Sequence, residues 1–391
     1  MEEKFIWPLM ENSIQEEEIQ ALLRFLASNQ RFTKGEKSKE FEEKWSEWQG
    51  CKYSVFVNSG SSANLIMLDA LKELYGWKNG DKIVVPAVTW STNISPILQL
   101  GLEPVFVDIN LENISFDLEK LEKVLRVEKD IVAVFVTHLL GFPAEVDKIK
   151  RLCKDSNIKL VEDCCEATGA TKNNIKIGNF GECGSFSFYF GHHMTTIEGG
   201  MVCTNNRPLH NILLLKRSHG LARELSPEYF EIEKAKNPHI DPLFLFSTTG
   251  YNVRNHEIPA IIGLEQLKKL DNIIEKRNNN FNLYQKIIRN HSDKLFIHSS
   301  EGVSSFSLPF IFKEKQDLEK FKQLLKKEKI EFRPILGGNM LNQPFLENYK
   351  HYLENTPNAT LVHKQGIYIG NNQFIKEENI NRLDNLLNKL N

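Results

Sequence analysis

Residues 185–200 read Ser-Phe-Ser-Phe-Tyr-Phe-Gly-His-His-Met-Thr-Thr-Ile-Glu-Gly-Gly. From 186 to 190 every second residue is phenylalanine, and this period of two predicts a β-strand. The glycine pair at 199–200 lets the backbone turn or approach a ligand closely. Two adjacent histidines, His192 and His193, lie between the strand and the glycines, and no lysine lies between Lys176 and Lys216. The stretch therefore predicts a strand that leads into a histidine-containing loop.

The composition is that of an ordinary globular protein, with 41 % hydrophobic and 26 % charged residues. At about 150 residues per domain, the 391 residues predict two or three domains. A net charge of −2 argues against nucleic acid as the main partner. None of the six cysteines has Cys-x-x-Cys spacing, which favours free thiols and predicts no metal site. Because no apolar run approaches about 18 residues, we expect a cytoplasmic protein without a membrane segment.

Short apolar strands alternate with helices through the first part of the chain. Strands are predicted at 53–57, 82–86, 105–108, 131–137 and 158–163, and the helices between them include 64–74, 118–127 and 145–156. This alternation predicts an α/β fold with a parallel sheet covered on both faces. Residues 305–312 instead alternate as a half-buried antiparallel strand would, which predicts a smaller α+β domain. We expect a large domain at 1–250 and a small C-terminal domain at 251–391.

A strand, a turn of small residues and a helix follow one another at 53–74. This geometry presents free backbone N–H groups and the positive end of a helix dipole to a phosphate. Gly60, Ser61 and Ser62 are the candidate contacts, although an ordinary capped turn would have the same sequence. Neither Gly-x-x-x-x-Gly-Lys nor Gly-x-Gly-x-x-Gly is present, so ATP and dinucleotide sites of those types are not indicated.

Two further residues follow predicted strands. Asp163 ends the strand at 158–163, where an acid lies at the crevice in which parallel sheets bind ligands. It could hold a pyridine nitrogen protonated, or it could cap the next helix. Trp90 follows the strand at 82–86 and could stack on a flat cofactor or fill the core.

Four motifs in order, the second of which has two parts, resemble the DegT/DnrJ/EryC1/StrS family of nucleotide-sugar aminotransferases. They are Glu-Asp at 162–163, Ser-Phe-Tyr at 187–189, Glu-Gly-Gly at 198–200, Gly-Tyr-Asn-Val-Arg at 250–254 and Gly-Leu-Glu-Gln-Leu at 263–267. The resemblance covers nearly the whole chain. It implies the aspartate-aminotransferase-like fold (fold type I), with a mixed, mostly parallel seven-stranded sheet and a smaller C-terminal domain. In that family a lysine binds pyridoxal phosphate (PLP) covalently, and here His192 holds the lysine position.

One branch of the family, which removes the C3 hydroxyl of GDP-4-keto-6-deoxymannose, also has two histidines at this place. The chain is similar to that branch at 85–92, 162–166, 219–223, 333–339 and 370–373. Neighbouring dehydratases with an iron–sulfur cluster need closely spaced cysteines, so the resemblance implies a cluster-free enzyme. Two positions depart from the pattern: Phe190 replaces a proline, and Leu221, which bears on the preference for sugar or base, replaces a tryptophan.

The resemblance implies cofactor contacts at Gly60, Ser61, Trp90, Asp163, Glu166, Ser187, Asn252 and Arg254. The glycine and the serines would bind the phosphate, Trp90 would stack on the pyridine ring, and Glu166 would lie near the ring hydroxyl. Asn252 and Arg254 would come from a second subunit, which implies a homodimer with shared active sites and leaves a tetramer open. Substrate contacts would include Arg223, Arg333 and Asn339.

The imidazole at position 192 predicts the reaction. Histidine forms no stable Schiff base with PLP, so the amino form of the cofactor (PMP) could persist and react with a sugar ketone. With an ordinary pKa of about 6.5, His192 could take a proton and then help the C3 hydroxyl to leave. By resemblance, L-glutamate would regenerate PMP, and ammonia would be released. His219 is a second candidate for proton transfer or substrate contact, or it has a structural role; His193 is expected to be supporting, because neighbouring residues on an extended segment face opposite ways.

Two other functions remain open on these residues. An aminotransferase could recruit a lysine from elsewhere in the chain, although none lies at 177–215. A scaffold that lost its lysine could instead serve as a ligand sensor or assembly partner. Retention of Asp163, Trp90 and Ser187 argues against a sensor, because such a protein has no need of the acid that makes the ring an electron sink.

Overall fold

A computed structural model describes residues 5–28 and 31–390 of the chain. The helices are α1 Glu16–Ala27, α2 Glu36–Gln49, α3 Gly60–Tyr75, α4 Ser95–Gln99, α5 Leu118–Val127, α6 Val146–Asp155, α7 Arg207–Arg217, α8 Pro227–Lys236, α9 Glu257–Asn290, α10 Lys315–Lys327, α11 Pro357–Gln365 and α12 Glu377–Asn388. The strands are β1 Tyr53–Val57, β2 Lys82–Pro86, β3 Glu103–Val107, β4 Ile131–Thr137, β5 Lys159–Asp163, β6 Thr171–Lys172, β7 Ile175–Lys176, β8 Cys183–Ser187, β9 Gly200–Thr204, β10 Ser307–Ile311, β11 Phe332–Pro334 and β12 Gly366–Gly370. Across these described residues, no helix combines the length and apolar character needed to cross a membrane.

Seven strands form the central sheet, in the order β1-β9-β8-β5-β4-β2-β3. β9 is antiparallel to both of its neighbours, and every other adjacent pair is parallel. The mixed, mostly parallel seven-stranded sheet that the resemblance implies is therefore confirmed. Because β1, β2, β5 and β8 run in the same direction, their carboxyl ends meet at one edge, where parallel sheets bind ligands.

The strand predicted from the phenylalanine alternation ends earlier than expected. β8 stops at Ser187, which pairs with Gly200, the first residue of β9. Beyond this pair the partner backbone belongs to the histidine loop, so the ladder ends after Phe188 N–H donates to the Gly199 carbonyl. Phe190 lies outside the strand and is 40 % exposed. All five residues of β8 are buried, because the sheet is covered on both faces.

The C-terminal part forms a three-stranded antiparallel sheet in the order β10-β12-β11. The prediction of a half-buried strand at 305–312 is wrong in its burial, since every residue of β10 is buried. The reason is tertiary: this sheet shares one apolar cluster with α10, α12 and the turn at 139–141. Trp7 also belongs to that cluster, and its Nε1 donates to the Gly370 carbonyl at 3.1 Å. The domain division at residue 250 stays a prediction.

Candidate active site

Four loops that follow parallel strands bring the predicted residues to the same edge of the sheet. Gly60 begins α3 soon after β1, and Trp90 follows β2. Asp163 ends β5, and His192 lies in the loop after β8. Residues that are far apart in the sequence therefore share one crevice, because the strands before them run in the same direction.

Asp163 is 4 % exposed and is surrounded by hydrogen-bond donors. Its Oδ2 accepts from Asn64 Nδ2 at 2.8 Å and from Asn93 Nδ2 at 2.7 Å. Its Oδ1 accepts from the Cys165 backbone at 2.9 Å, but the described chain has no helix between β5 and β6, so the alternative that Asp163 caps a helix is wrong. Asn64 is held in turn by Ser185 Oγ, at 2.6 Å from Asn64 Oδ1. A buried carboxylate that accepts three hydrogen bonds is held in a fixed orientation, in which it can pair with a cationic ring nitrogen.

The first turn of α3 forms a cradle with Ser187. The helix begins at Gly60, four residues before the predicted start, so the N–H groups of Gly60 and Ser61 belong to its open end. A Cβ on Gly60 would lie 2.7 Å from Ser187 Cβ, which only glycine avoids. Ser59 caps the helix and accepts from the Ser62 N–H at 3.1 Å. This arrangement suits an anion such as a phosphate monoester.

Trp90 is 52 % exposed, so the alternative that it fills the core is wrong. The helical turn that starts directly after it carries Asn93, one of the donors to Asp163. An exposed indole next to a buried carboxylate offers a flat apolar surface to an aromatic cofactor.

His192 is partly buried against aromatic rings. Its imidazole packs edge-on to Phe306, with 5.4 Å between centroids, and lies 6.2 Å from the Tyr189 ring. Within the described ranges its Nδ1 is buried and has no hydrogen-bond partner. Burial and the Arg277 guanidinium lower the pKa of His192 to about 4. The imidazole is therefore neutral at pH 7 and free to accept a proton.

His193 is fully buried, and its ring packs against Phe306, as the His192 ring does, with 6.1 Å between the centroids. Its Nε2 lies 3.1 Å from the Ser304 carbonyl, which can only accept, so the proton is on Nε2. Burial, with the Arg277 charge, holds the pKa of His193 well below its usual value. These contacts fit the supporting role expected for His193.

Glu166 is a second titratable group at this edge. Its Oε2 accepts from the Leu140 backbone at 3.0 Å. Burial and the nearby charge of Asp163 raise the pKa of Glu166 to about 7, so the carboxyl is poised between its acid and its anion at neutral pH. Tyr368 has no signal in the sequence that marks it as a site residue; burial and the charge of Glu166 raise the pKa of its phenol.

Asn252, Arg254 and His219 form a separate group near the end of β1. The backbone of Arg254 pairs with Val57, and that of Asn252 pairs with Ser218. Arg254 Nη2 donates to Asn252 Oδ1 at 3.1 Å. His219 is exposed, with a φ of 60°, and no hydrogen bond or ring contact of the described chain joins it to His192. Its part in proton transfer stays a prediction.

The predicted substrate contacts differ in accessibility. Arg223 is exposed and donates to the Leu243 carbonyl, and Arg333 is exposed and paired with Glu331 at 3.0 Å. Asn339 is fully buried, and its Nδ2 donates to Thr356 Oγ1 at 3.0 Å. Its Oδ1 caps the following turn, so the side chain is committed to the fold and cannot make the expected substrate contact in this arrangement.

A buried acid–imidazole pair lies behind Asp163. His138 Nδ1 accepts from the Ala144 N–H at 3.1 Å, so Nε2 carries the proton and donates to Glu162 at 3.2 Å. Glu162 also accepts from the backbone N–H groups of 178, 180 and 181. With Cys164 these residues offer metal-type ligands, yet the carboxylate is already occupied by four donors.

The site fits PLP or PMP in its ring and phosphate contacts but offers no amine for a covalent bond. The lysines that flank the loop are both engaged elsewhere. Lys216 is 2 % exposed, and its Nζ pairs with Asp69 and Glu73 at 3.0 and 2.9 Å. Lys176 Nζ donates to the Trp48 carbonyl. Neither lysine is free to replace the family's missing one.

Comparison with known proteins agrees with this geometry. The chain is 38 % identical to GDP-4-keto-6-deoxy-D-mannose 3-dehydratase of Yersinia pseudotuberculosis, with 98 % of each chain covered. It superposes on the Escherichia coli GDP-4-keto-6-deoxy-D-mannose-3-dehydratase with bound hydrated PLP at a TM-score of 0.86 and 35 % identity, covering 98 % of this chain and 99 % of that one.

A structure of a GDP-4-keto-6-deoxymannose-3-dehydratase with a trapped PLP–glutamate geminal diamine matches at a TM-score of 0.86 and 34 % identity, covering 97 % of this chain and 100 % of that one. The model of the DegT/DnrJ/EryC1/StrS aminotransferase family matches residues 12–387. Sequence, fold and site agree, and the protein belongs to the DegT/DnrJ/EryC1/StrS aminotransferase family.

Proposed function

We propose that this protein is a PLP/PMP-dependent 3-dehydratase that removes the C3 hydroxyl of GDP-4-keto-6-deoxy-D-mannose. The observation that supports this function best is the neutral imidazole of His192 at the position of the family's lysine. The buried Asp163, which accepts three hydrogen bonds, lies at the same edge of the sheet. The relatives named above catalyse this reaction on this sugar nucleotide, as their names state. The scaffold and sensor alternative has no comparable support.

The cofactor, when bound, supplies an amine for the C4 ketone and a ring that accepts electrons. The residues of the chain then have separate tasks. Asp163 holds an anion against the ring nitrogen, and the open end of α3 with Ser187 binds the phosphate. His192 takes a proton beside the ring and passes it to the departing C3 hydroxyl. Trp90 covers one face of the site and excludes water from it.

Glutamate is the proposed amino donor, supported by the glutamate adduct in the related structure. The balance closes without another reductant. The sugar gains two electrons as its C3–O bond becomes a C3–H bond. Glutamate loses two electrons and becomes 2-oxoglutarate, and its nitrogen leaves as ammonia. We place the reaction in the cytoplasm, which is consistent with six free cysteine thiols.

The test is an assay of the purified protein with PLP, L-glutamate and GDP-4-keto-6-deoxymannose, followed by mass spectrometry. We expect a product that lacks one oxygen, with 2-oxoglutarate and ammonia formed in equal amounts. An amino sugar from the wild-type protein would show an aminotransferase instead. If the protein turned over none of a full set of 4-keto sugar nucleotides, the assignment as an enzyme would be refuted.

We propose further that the active form is a homodimer whose sites combine two chains. Large apolar side chains are exposed near the histidine loop and in the segment at 240–246, as a partner surface requires; they are Tyr189, Phe190, Ile197, Ile240, Leu243, Phe244 and Phe246. Asn252 and Arg254, which are exposed and partly exposed, would reach the phosphate of the partner's site.

Mixing two inactive variants tests this sharing. We expect His192→Asn and Arg254→Gln each to lose activity. Co-expressed, they would form mixed dimers in which one of the two sites carries neither change. Random pairing then restores about a quarter of the wild-type sites. A mixture no more active than its parts, with mixed dimers shown by mass spectrometry, would mean that Arg254 serves its own chain.

A further inference from the structure

Arg277, in α9, is a buried guanidinium without a carboxylate partner in the described chain. It is 1 % exposed. Its Nη1 donates to the Phe306 carbonyl at 3.0 Å, and its Nη2 donates to the His192 carbonyl at 3.2 Å and points to Met10 Sδ at 3.5 Å. Its Nε is buried and has no partner among the described residues. Every hydrogen-bond acceptor that Arg277 contacts in the described chain is therefore uncharged.

A second arginine of the described chain, Arg217, is equally buried but does have carboxylate partners. Arg217 is also 1 % exposed, but it is paired with Glu42 and lies 4.0 Å from Glu224. A buried charge without a counter-ion costs free energy, and neutral carbonyls offset only part of that cost. Burial alone lowers the pKa of Arg277 to about 9, which leaves it charged at pH 7. The unpaired charge of Arg277 therefore does not stabilise the fold, and another reason for a cation at this position is needed.

The position of Arg277 suggests a reason in the chemistry of the loop above it. The guanidinium holds the backbone of His192 and the carbonyl of Phe306, whose ring packs against the His192 imidazole. The Arg277 side chain thus restrains both the loop that carries His192 and the segment whose Phe306 ring packs against the imidazole. The residue is itself held, because its carbonyl accepts from Asn371 Nδ2 at 2.9 Å.

We propose that Arg277 is a positioning residue that fixes the His192 loop and, through its uncompensated charge, keeps the resting imidazole neutral. This inference rests on the proposed function, in which His192 first accepts and then donates a proton. A neutral imidazole can accept the proton. The imidazolium that results is destabilised by the nearby cation and releases the proton readily to the departing hydroxyl.

The two largest influences on the pKa of His192, burial and Arg277, both lower it, and a contact with the Tyr189 backbone is the smaller opposing one. Arg277 approaches from α9, Phe306 contributes an apolar ring from the segment before β10, and Tyr189 and His193 flank the imidazole on its own loop. No carboxylate pairs with the His192 ring within the described residues. Burial and Arg277 both lower the pKa of His192, so the acidic limb of the rate profile is expected below pH 6.5.

The experiment measures the His192 pKa by NMR in cofactor-free protein labelled at its 11 histidines, with the His192→Asn spectrum identifying the resonance. We expect a wild-type pKa below 6.5, a rise of about one unit or more in Arg277→Gln, and a low value retained in Arg277→Lys. Lys276→Gln removes an exposed charge from the same turn of α9 and should leave the pKa unchanged. In steady-state assays, Arg277→Gln should lower kcat about tenfold or more and move the acidic limb upward, with KM for the sugar nucleotide little changed.

Two results would overturn the inference. One is a wild-type His192 that titrates at its ordinary value, which needs no variant to fold. The other is the same His192 pKa in folded Arg277→Gln and in the wild type. The outcome separates from the proposed function: an ordinary pKa in an active dehydratase refutes the role of Arg277, whereas a low, arginine-dependent pKa in a protein without dehydratase activity refutes the proposed reaction.

Discussion

His192→Asn is expected to lower the rate of C3 deoxygenation by about 10²- to 10⁴-fold, the usual contribution of a positioned acid–base group. The asparagine keeps a polar side chain of similar reach but can neither accept nor donate the proton at neutral pH. Binding of the cofactor should persist, because the phosphate cradle at Gly60 and the carboxylate of Asp163 are unchanged. The measurement is single-turnover product formation with PMP-loaded protein, beside the wild type.

His193→Asn is the matched control for this change. His193 is the adjacent imidazole, but it is buried and bonded to Ser304, so its loss should act on stability more than on the chemical step. A comparable fall in rate for the two variants at equal folded fraction would contradict the assignment of proton transfer to His192.

His192→Lys tests the same position in the opposite direction. The amine should bind PLP covalently, so that the cofactor resists dialysis and is trapped by borohydride reduction. With glutamate and the keto sugar, we expect an amino sugar in place of the deoxygenated product. A variant that holds PLP covalently and still deoxygenates at the wild-type rate would show that the imidazole is not required.

Asp163→Asn has the second large expected effect, a fall in kcat of about 10²- to 10³-fold. The amide has nearly the same shape but no negative charge, so it cannot hold the cofactor's ring nitrogen protonated. Its NH2 group replaces one of the two carboxylate oxygens and cannot accept a hydrogen bond, so at least one of the three buried donors, from Asn64, Asn93 and Cys165, is left unpaired. We expect the free energy of unfolding to fall by about 1–3 kcal/mol. Rate is measured per cofactor-loaded site, and stability by urea unfolding.

Asp108→Asn separates the two effects. Asp108 is another buried carboxylate, 1 % exposed, which accepts from Lys120 Nζ and from the backbone of Ala359. Its loss should destabilise the protein without a matching loss of kcat per folded site. If Asp163→Asn kept the wild-type kcat, or if both variants lost rate in proportion to stability, the electronic role of Asp163 would be refuted.

Local sequence patterns were enough for the α/β class and the crevice, whereas the mixed seven-stranded sheet with its antiparallel β9 came only from the family resemblance. The strand and helix alternation predicted the α/β fold, and strand ends predicted where Asp163 and Trp90 lie. The imidazole at position 192 indicated acid–base chemistry through its residue type alone. These inferences succeed because strand direction and side-chain type act over a few neighbouring residues.

The details that tune the site were not visible in any pattern. The donors Asn64 and Asn93 are 99 and 70 residues from Asp163, and neither has a local signal. The burial of Asn339 and the early end of β8 also depended on what packs against them.

By itself, the sequence determined the family, the order of the strands along the chain and the exchange of an amine for an imidazole at position 192. Only the tertiary structure decided that this imidazole rests on Phe306 and lies above the buried charge of Arg277, 85 residues away. The physical reason is that residue identity sets whether a side chain can accept and donate a proton. Burial and neighbouring charge, which arise only when distant segments pack, set when it carries that proton.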